Sequence, residues 1–139
     1  MSPRRLLVVL SAAQLAVGLL GQVVALRRRT PYDLPFLSGR PEHVGRDSLW
    51  MGTAYSAPAP MLVAQAAAIR SLAQGPDDGA RRALGALGAL MVPGYLMERA
   101  DRRRLRPSGW DAVETPIAVA GLGLAAAMAV LGHQERSGA

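Results

Sequence analysis

The chain has no cysteine. Disulfides, thiolate catalysis and cysteine-ligated metals are thereby excluded. It has no lysine either, so all sixteen basic residues are arginine. With abundant alanine, glycine and proline, this reads mainly as the codon bias of a GC-rich genome, although arginine is also the better phosphate ligand. Aromatic residues are few: two tryptophans, three tyrosines and one phenylalanine. The arginine-rich segments therefore lack the interleaved rings on which single-stranded bases stack, and no nucleic-acid partner is expected despite a net charge of +6. There are two histidines, His43 beside Glu42 and His133 at the end of an apolar run. Neither has the spacing of a metal pair, so no metal or other cofactor is expected. No glycine-rich loop has the spacing of a phosphate cradle, and no serine sits in a nucleophile elbow.

Charge is also missing from long intervals, and this absence is the informative one. Residues 6–26, 48–69, 83–97 and 115–132 contain no acid or arginine. A helix of a water-soluble bundle carries charge along its outer face. These intervals are apolar around the whole circumference, as hydrocarbon requires. The expectation is one all-α domain over residues 1–139, an integral membrane four-helix bundle with spans at about 6–26, 49–73, 81–98 and 112–132. Prolines are expected to kink the second span (Pro58, Pro60) and the third (Pro93).

The first run spans roughly 30 Å as a helix. A basic lead before it also fits a secretory signal, but the run is long for one. It stops at Arg27 without a small-residue cleavage site, so it is read as a retained span. Ser11, Gln14, Gly18, Gly21 and Gln22 make a stripe of small and amide side chains for packing on neighbouring helices. Residues 30–48 form a loop with three prolines and two glycines, amphiphilic through Tyr32, Leu34, Phe36 and Leu37. Asp47 or Ser48 is placed to cap the second span, and Trp50, Tyr55 and Trp110 suit the interfacial aromatic belt. Gly85, Gly88 and Ala89 admit close approach of another helix.

Ten of the sixteen arginines lie between the first and second spans or between the third and fourth. The positive-inside rule puts those loops in the cytoplasm and both termini outside, as in a multi-pass protein of a bacterial cytoplasmic membrane.

The candidate chemistry gathers at that cytoplasmic edge. Tyr95 and Glu98 end the third span; Asp111 and Glu114 begin the fourth. Glu114 shares a stripe with Ala118, Gly121, Ala125 and Met128, which turns it into the bundle. A carboxylate there needs a partner, and Arg27, Arg28, Arg29 or Arg99 is in reach. One reading of Tyr95, Glu98, Asp111 and Glu114 is an ion-pair network that fixes helix ends in a structural or accessory membrane protein. A sharper one is a polar pocket holding a lipid-like or small amphiphilic ligand. The alternative is a small membrane enzyme or proton-coupled carrier using Glu114 or Glu98 as the titrating group. Arg102, Arg103, Arg104 and Arg106 are placed to meet anionic lipid headgroups, and the small-residue faces admit a homo-oligomer or a partner membrane protein.

Overall fold

The computed structural model describes residues 1–30, 33–34, 37–43, 45–46, 50, 52, 55 and 57–134. The protein is mostly helical. α1 (Pro3–Arg28) opens with Ser2, whose hydroxyl accepts the Arg5 N–H at 3.3 Å, and with proline in the first turn, where a missing N–H has no consequence. It closes at Arg29, a non-glycine residue in the left-handed conformation (φ 51°) that returns its N–H to the last carbonyls. Arg27 and Arg28 in the last turn suit the negative end of the helix dipole.

Two-residue strands follow, β1 (Asp33–Leu34) antiparallel to β2 (Leu37–Ser38), pairing Asp33 with Ser38 and Leu34 with Leu37. A 3₁₀ turn covers Pro41–His43. Tyr32, Phe36, Asp47, Ser48 and Leu49 lie outside the described residues, and with them much of the amphiphilic loop and the expected cap.

The second long helix, α2 (Ala59–Gln74), corrects one expectation. Pro58 is its N-cap and Pro60 lies in its first turn, so these prolines start the helix instead of kinking it. A proline has no N–H to give, and the first turn is the one place in a helix where none is needed. α3 (Asp78–Met97) is capped by Asp77, whose Oδ1 accepts the Ala80 N–H at 2.9 Å and whose carboxylate also accepts the Ser71 hydroxyl. Pro93 does lie inside α3, where it withdraws the hydrogen bond that the Ala89 carbonyl would receive. A short helix, α4 (Arg99–Arg104), a 3₁₀ turn at Pro107–Gly109 and the last helix, α5 (Glu114–His133), complete the chain.

α1 packs on α2 and α5, and α3 packs on α2 and α5, while α1 and α3 barely meet. The buried positions of α1 are Leu7, Ser11, Gln14, Gly18, Gly21 and Ala25; those of α5 include Glu114, Ala118, Gly121, Ala125, Met128 and Gly132. Both sets alternate steps of four and three, the seam of helices that cross at a shallow angle. α3 and α5 approach most closely through glycine. A Cβ on Gly88 would sit 2.6 Å from the Ala125 carbonyl oxygen, and one on Gly85 would sit 2.9 Å from the Gly132 backbone. Ala89, expected at the same contact, is exposed.

Arginines also tie neighbouring helices at the end away from α4. Arg4 of α1 donates to the Leu72 carbonyl at 2.8 Å, and Arg81 of α3 donates to the Gly132 carbonyl at 2.7 Å. Each satisfies a carbonyl that has no donor within its own helix.

The packing buries several polar side chains within an apolar core of Leu7, Leu62, Leu72, Leu84, Met91 and Met128, and leaves many large apolar side chains outside. Gln14 and Gln65 are fully buried, with the Gln65 amide donating to Gln14 Oε1 at 2.8 Å and to the Ser11 carbonyl at 3.0 Å. Outside, Val9, Leu19, Leu20 and Val23 of α1, Val63 of α2, Leu90 of α3, and Val119 and Val130 of α5 are exposed. Among the described residues, α1 and α5 are the two helices long and apolar enough to cross a membrane.

Candidate functional site

The polar centre forms where α3 ends, α4 turns and α5 begins. Glu98 terminates α3, its N–H still bonded to the Gly94 carbonyl at 3.1 Å. Its carboxylate is 4% exposed and accepts the Asp33 N–H at 2.9 Å on either oxygen, which fastens β1 to the helix end. Its own carbonyl receives the Arg102 N–H at 3.1 Å, leading the chain into α4.

Asp111 organises the start of α5. Its Oδ1 accepts the N–H groups of Val113 at 2.9 Å and Glu114 at 2.8 Å, two donors that the first turn leaves without helical partners. Thr115 reciprocates by accepting the Asp111 N–H at 2.9 Å, and its hydroxyl donates to the Arg104 carbonyl at 3.0 Å. These backbone donors, first that of Glu114, and then Arg28 hold the Asp111 carboxyl below its ordinary range.

Glu114 is 2% exposed and faces two cations. Arg104 Nη2 lies 2.6 Å and Arg28 Nη1 lies 3.3 Å from its Oε2. The Arg104 contact is an ion pair by charge and distance, without the alignment of a hydrogen bond. The Tyr55 hydroxyl joins them, donating to Glu114 and accepting from Arg104. Gly21 makes room for this tyrosine, because a Cβ there would overlap the Tyr55 backbone. Arg28 also reaches Asp111 at 3.3 Å. Arg104 further donates to the Gly109 carbonyl at 3.2 Å, and Gly109 lies so close to the Arg103 carbonyl that no side chain fits.

Tyr95 leads from this edge into the core. Its hydroxyl accepts from Gln14 at 3.4 Å, and its ring occupies the space that Gly121 leaves empty. Asp101 joins the parts. It is 2% exposed, and its Oδ1 has no hydrogen-bond partner among the described residues. Burial, followed by the charges of Glu98 and Glu114, pushes its carboxyl up to about 9. It is therefore a neutral acid at pH 7.

That shift has a measurable sign. In the unfolded chain Asp101 releases its proton near 3.8, but in the folded protein only near 9. The folded state holds the extra proton between those values, so stability falls as pH rises through that window, by up to about 1.4 kcal/mol per pH unit. Asp101→Asn should remove this slope. The check is chemical denaturation in a mild detergent at about pH 5 and about pH 8, where the Asn variant should be the more stable protein only at the higher pH.

Three of the four residues singled out from sequence, Tyr95, Glu98 and Glu114, lie within electrostatic reach of Asp101, while Asp111 serves as a cap and partner of Arg28. Arg28 was anticipated as a partner of Glu114; Arg104 was not. Asp101 was missed because it sits in an arginine run and reads there as a solvated charge. Tyr55 had been assigned only to the aromatic belt, and Gln65 to no role. Among the described residues no group of histidines and acids could hold a metal ion.

A hollow of about 300 Å³ lies on the outer side of α4, lined by Asp33, Arg102, Arg103 and Arg106. None of Tyr95, Glu98, Asp111 and Glu114 lines it. Of the arginines expected to meet headgroups, Arg104 alone turns away, inward to Glu114. No family model, no curated protein and no solved structure matches this chain.

Proposed function

We propose that this chain is a small integral membrane protein in which α1, α2, α3 and α5 span the bilayer, serving as a structural or accessory component. The observation that carries this reading is the set of large apolar side chains left exposed along all four long helices. Glutamines and a carboxylate are buried alongside leucines and methionines, while further valines and leucines face outward. In water the exposed rows would be a large aggregation-prone surface. In hydrocarbon they carry no penalty, and the inner amides of Gln14 and Gln65 hydrogen-bond to each other. The ion pairs of Glu114 with Arg104 and Arg28 support the network reading of this edge, since they join the ends of α1, α4 and α5.

The chain should resist alkaline carbonate extraction from membranes and require detergent for purification. The absence of cysteine makes orientation testable with single replacements. In intact cells Ser2→Cys should react with a membrane-impermeant thiol reagent, and Arg103→Cys should react only after permeabilisation. A chain released by carbonate, or monodisperse and folded in plain buffer, would defeat the membrane assignment; reversed labelling would invert the orientation.

A proton-coupled carrier or small membrane enzyme is the second reading. What favours it is Asp101, a buried acid with an unpartnered oxygen beside Glu98 and Glu114. Buried groups of this kind gather at sites that bind and release protons.

A further inference from the structure

We propose that the hollow lined by Asp33, Arg102, Arg103 and Arg106 binds the phosphodiester headgroup of an anionic glycerophospholipid. The inference rests on the membrane reading above and assigns that protein a ligand and a place to hold it.

α4 has two unlike faces. Asp101 and Arg104 turn inward to the carboxylate cluster. Arg102, Arg103 and the following Arg106 line the hollow outside, and among the described residues their guanidinium groups have no acidic partner. Among the described residues Asp33 is the only acid on the wall, against three arginines. Planar guanidinium groups match the paired oxygens of a phosphate better than any other side chain.

Two features select a lipid over a free phosphate. The volume exceeds what an isolated phosphate fills and falls at the small end for ligand pockets, about 300–1,000 Å³. Leu105 and Trp110 are exposed in the same segment of the chain, the kind of side chain that meets the glycerol backbone and upper acyl chains at a bilayer interface. The hollow is also built rather than accidental. The Glu98 carboxylate holds Asp33 in place through its N–H, and the Arg104 contacts to Glu114 and Gly109 hold the chain on either side of Arg103.

The test uses the full chain in nanodiscs of phosphatidylcholine alone or mixed with phosphatidylglycerol, with retained lipid read by native mass spectrometry and affinity by lipid titration in detergent. Wild-type protein should retain phosphatidylglycerol selectively. Each of Arg102→Gln, Arg103→Gln and Arg106→Gln should weaken it about fivefold, and the triple change about a hundredfold. The control is Arg5→Gln, Arg70→Gln and Arg82→Gln together, an equal loss of charge at exposed arginines elsewhere, which should leave affinity within about twofold. Equal loss in both triples would mean diffuse attraction and overturn the site. Displacement of the lipid by inorganic phosphate at matching concentration would assign the hollow to free phosphate and overturn it also. A chain that stays in membranes through carbonate yet shows no preference for phosphatidylglycerol fails this proposal alone; one that leaves membranes fails the reading beneath it.

Discussion

Arg104→Ala is expected to destabilise the protein by about 3 kcal/mol, although the side chain itself is partly exposed. The reason lies in what the change leaves behind. Glu114 sits at 2% exposure with Arg104 as its nearest cation, at 2.6 Å. Removing one partner of a buried pair strands the other charge away from water, and that penalty exceeds the worth of the pair. Arg28 at 3.3 Å and the Tyr55 hydroxyl remain, which holds the effect at the lower end of the usual range. Glu114→Gln should be milder, roughly 1 kcal/mol, because it removes the charge that needs balancing. The double variant should be more stable than Arg104→Ala alone, and denaturation of all four proteins in one detergent measures the coupling. Equal stability of Arg104→Ala and wild type would mean that Glu114 is hydrated and that the cluster is not a buried network. Glu114→Gln also separates the two functional readings. An accessory protein keeps its function with modestly altered stability, whereas a proton-coupled carrier or enzyme loses turnover while its fold survives.

Gly88→Leu should be the most damaging single change on the helix faces, at least about 3 kcal/mol. The first added carbon would already lie 2.6 Å from the Ala125 carbonyl oxygen and 2.7 Å from the Ala129 nitrogen. These are backbone atoms of a regular helix, which cannot turn aside as a flexible side chain would. α3 and α5 would have to separate along their seam, taking apart the Met91, Tyr95 and Ala125 contacts as well. Ala86→Leu, one turn half away on an exposed position of the same helix, should be nearly neutral and serves as the control. The measurement is thermal aggregation of detergent-purified protein. A Gly88→Leu protein as stable as the Ala86→Leu control would show that the helices are not in this register.

The helices were legible because their signal is local. Uncharged runs marked α1 and α5 closely, and the stripe of Ser11, Gln14, Gly18 and Gly21 came out buried as its composition required. Glu114 could be turned inward on spacing alone, since its neighbours at helical intervals are small. Pro58 and Pro60 misled because a proline pair breaks the pattern equally whether a helix bends there or begins there. Only the chain before it distinguishes the two, and here Tyr55 sits in a turn against α1.

The candidate site was readable in its members more than in their roles. Tyr95, Glu98 and Glu114 were named from position, but Asp101 was hidden among arginines that hydrate any acid in an extended chain. Folding sorts that run by face, sending Asp101 and Arg104 inward and Arg102, Arg103 and Arg106 outward.

By itself, the order of residues determined where α1 and α5 form, which side of those two is small or amide-bearing, and where the arginines collect, since all of these depend on neighbours within a few turns. Tertiary structure alone decided that Arg104 meets Glu114, that Asp101 keeps its proton, and that a hollow opens beside α4. Those outcomes depend on groups far apart in the chain and on how much water is left between them. Charge pairing and proton affinity follow distance and desolvation, and neither is written in spacing.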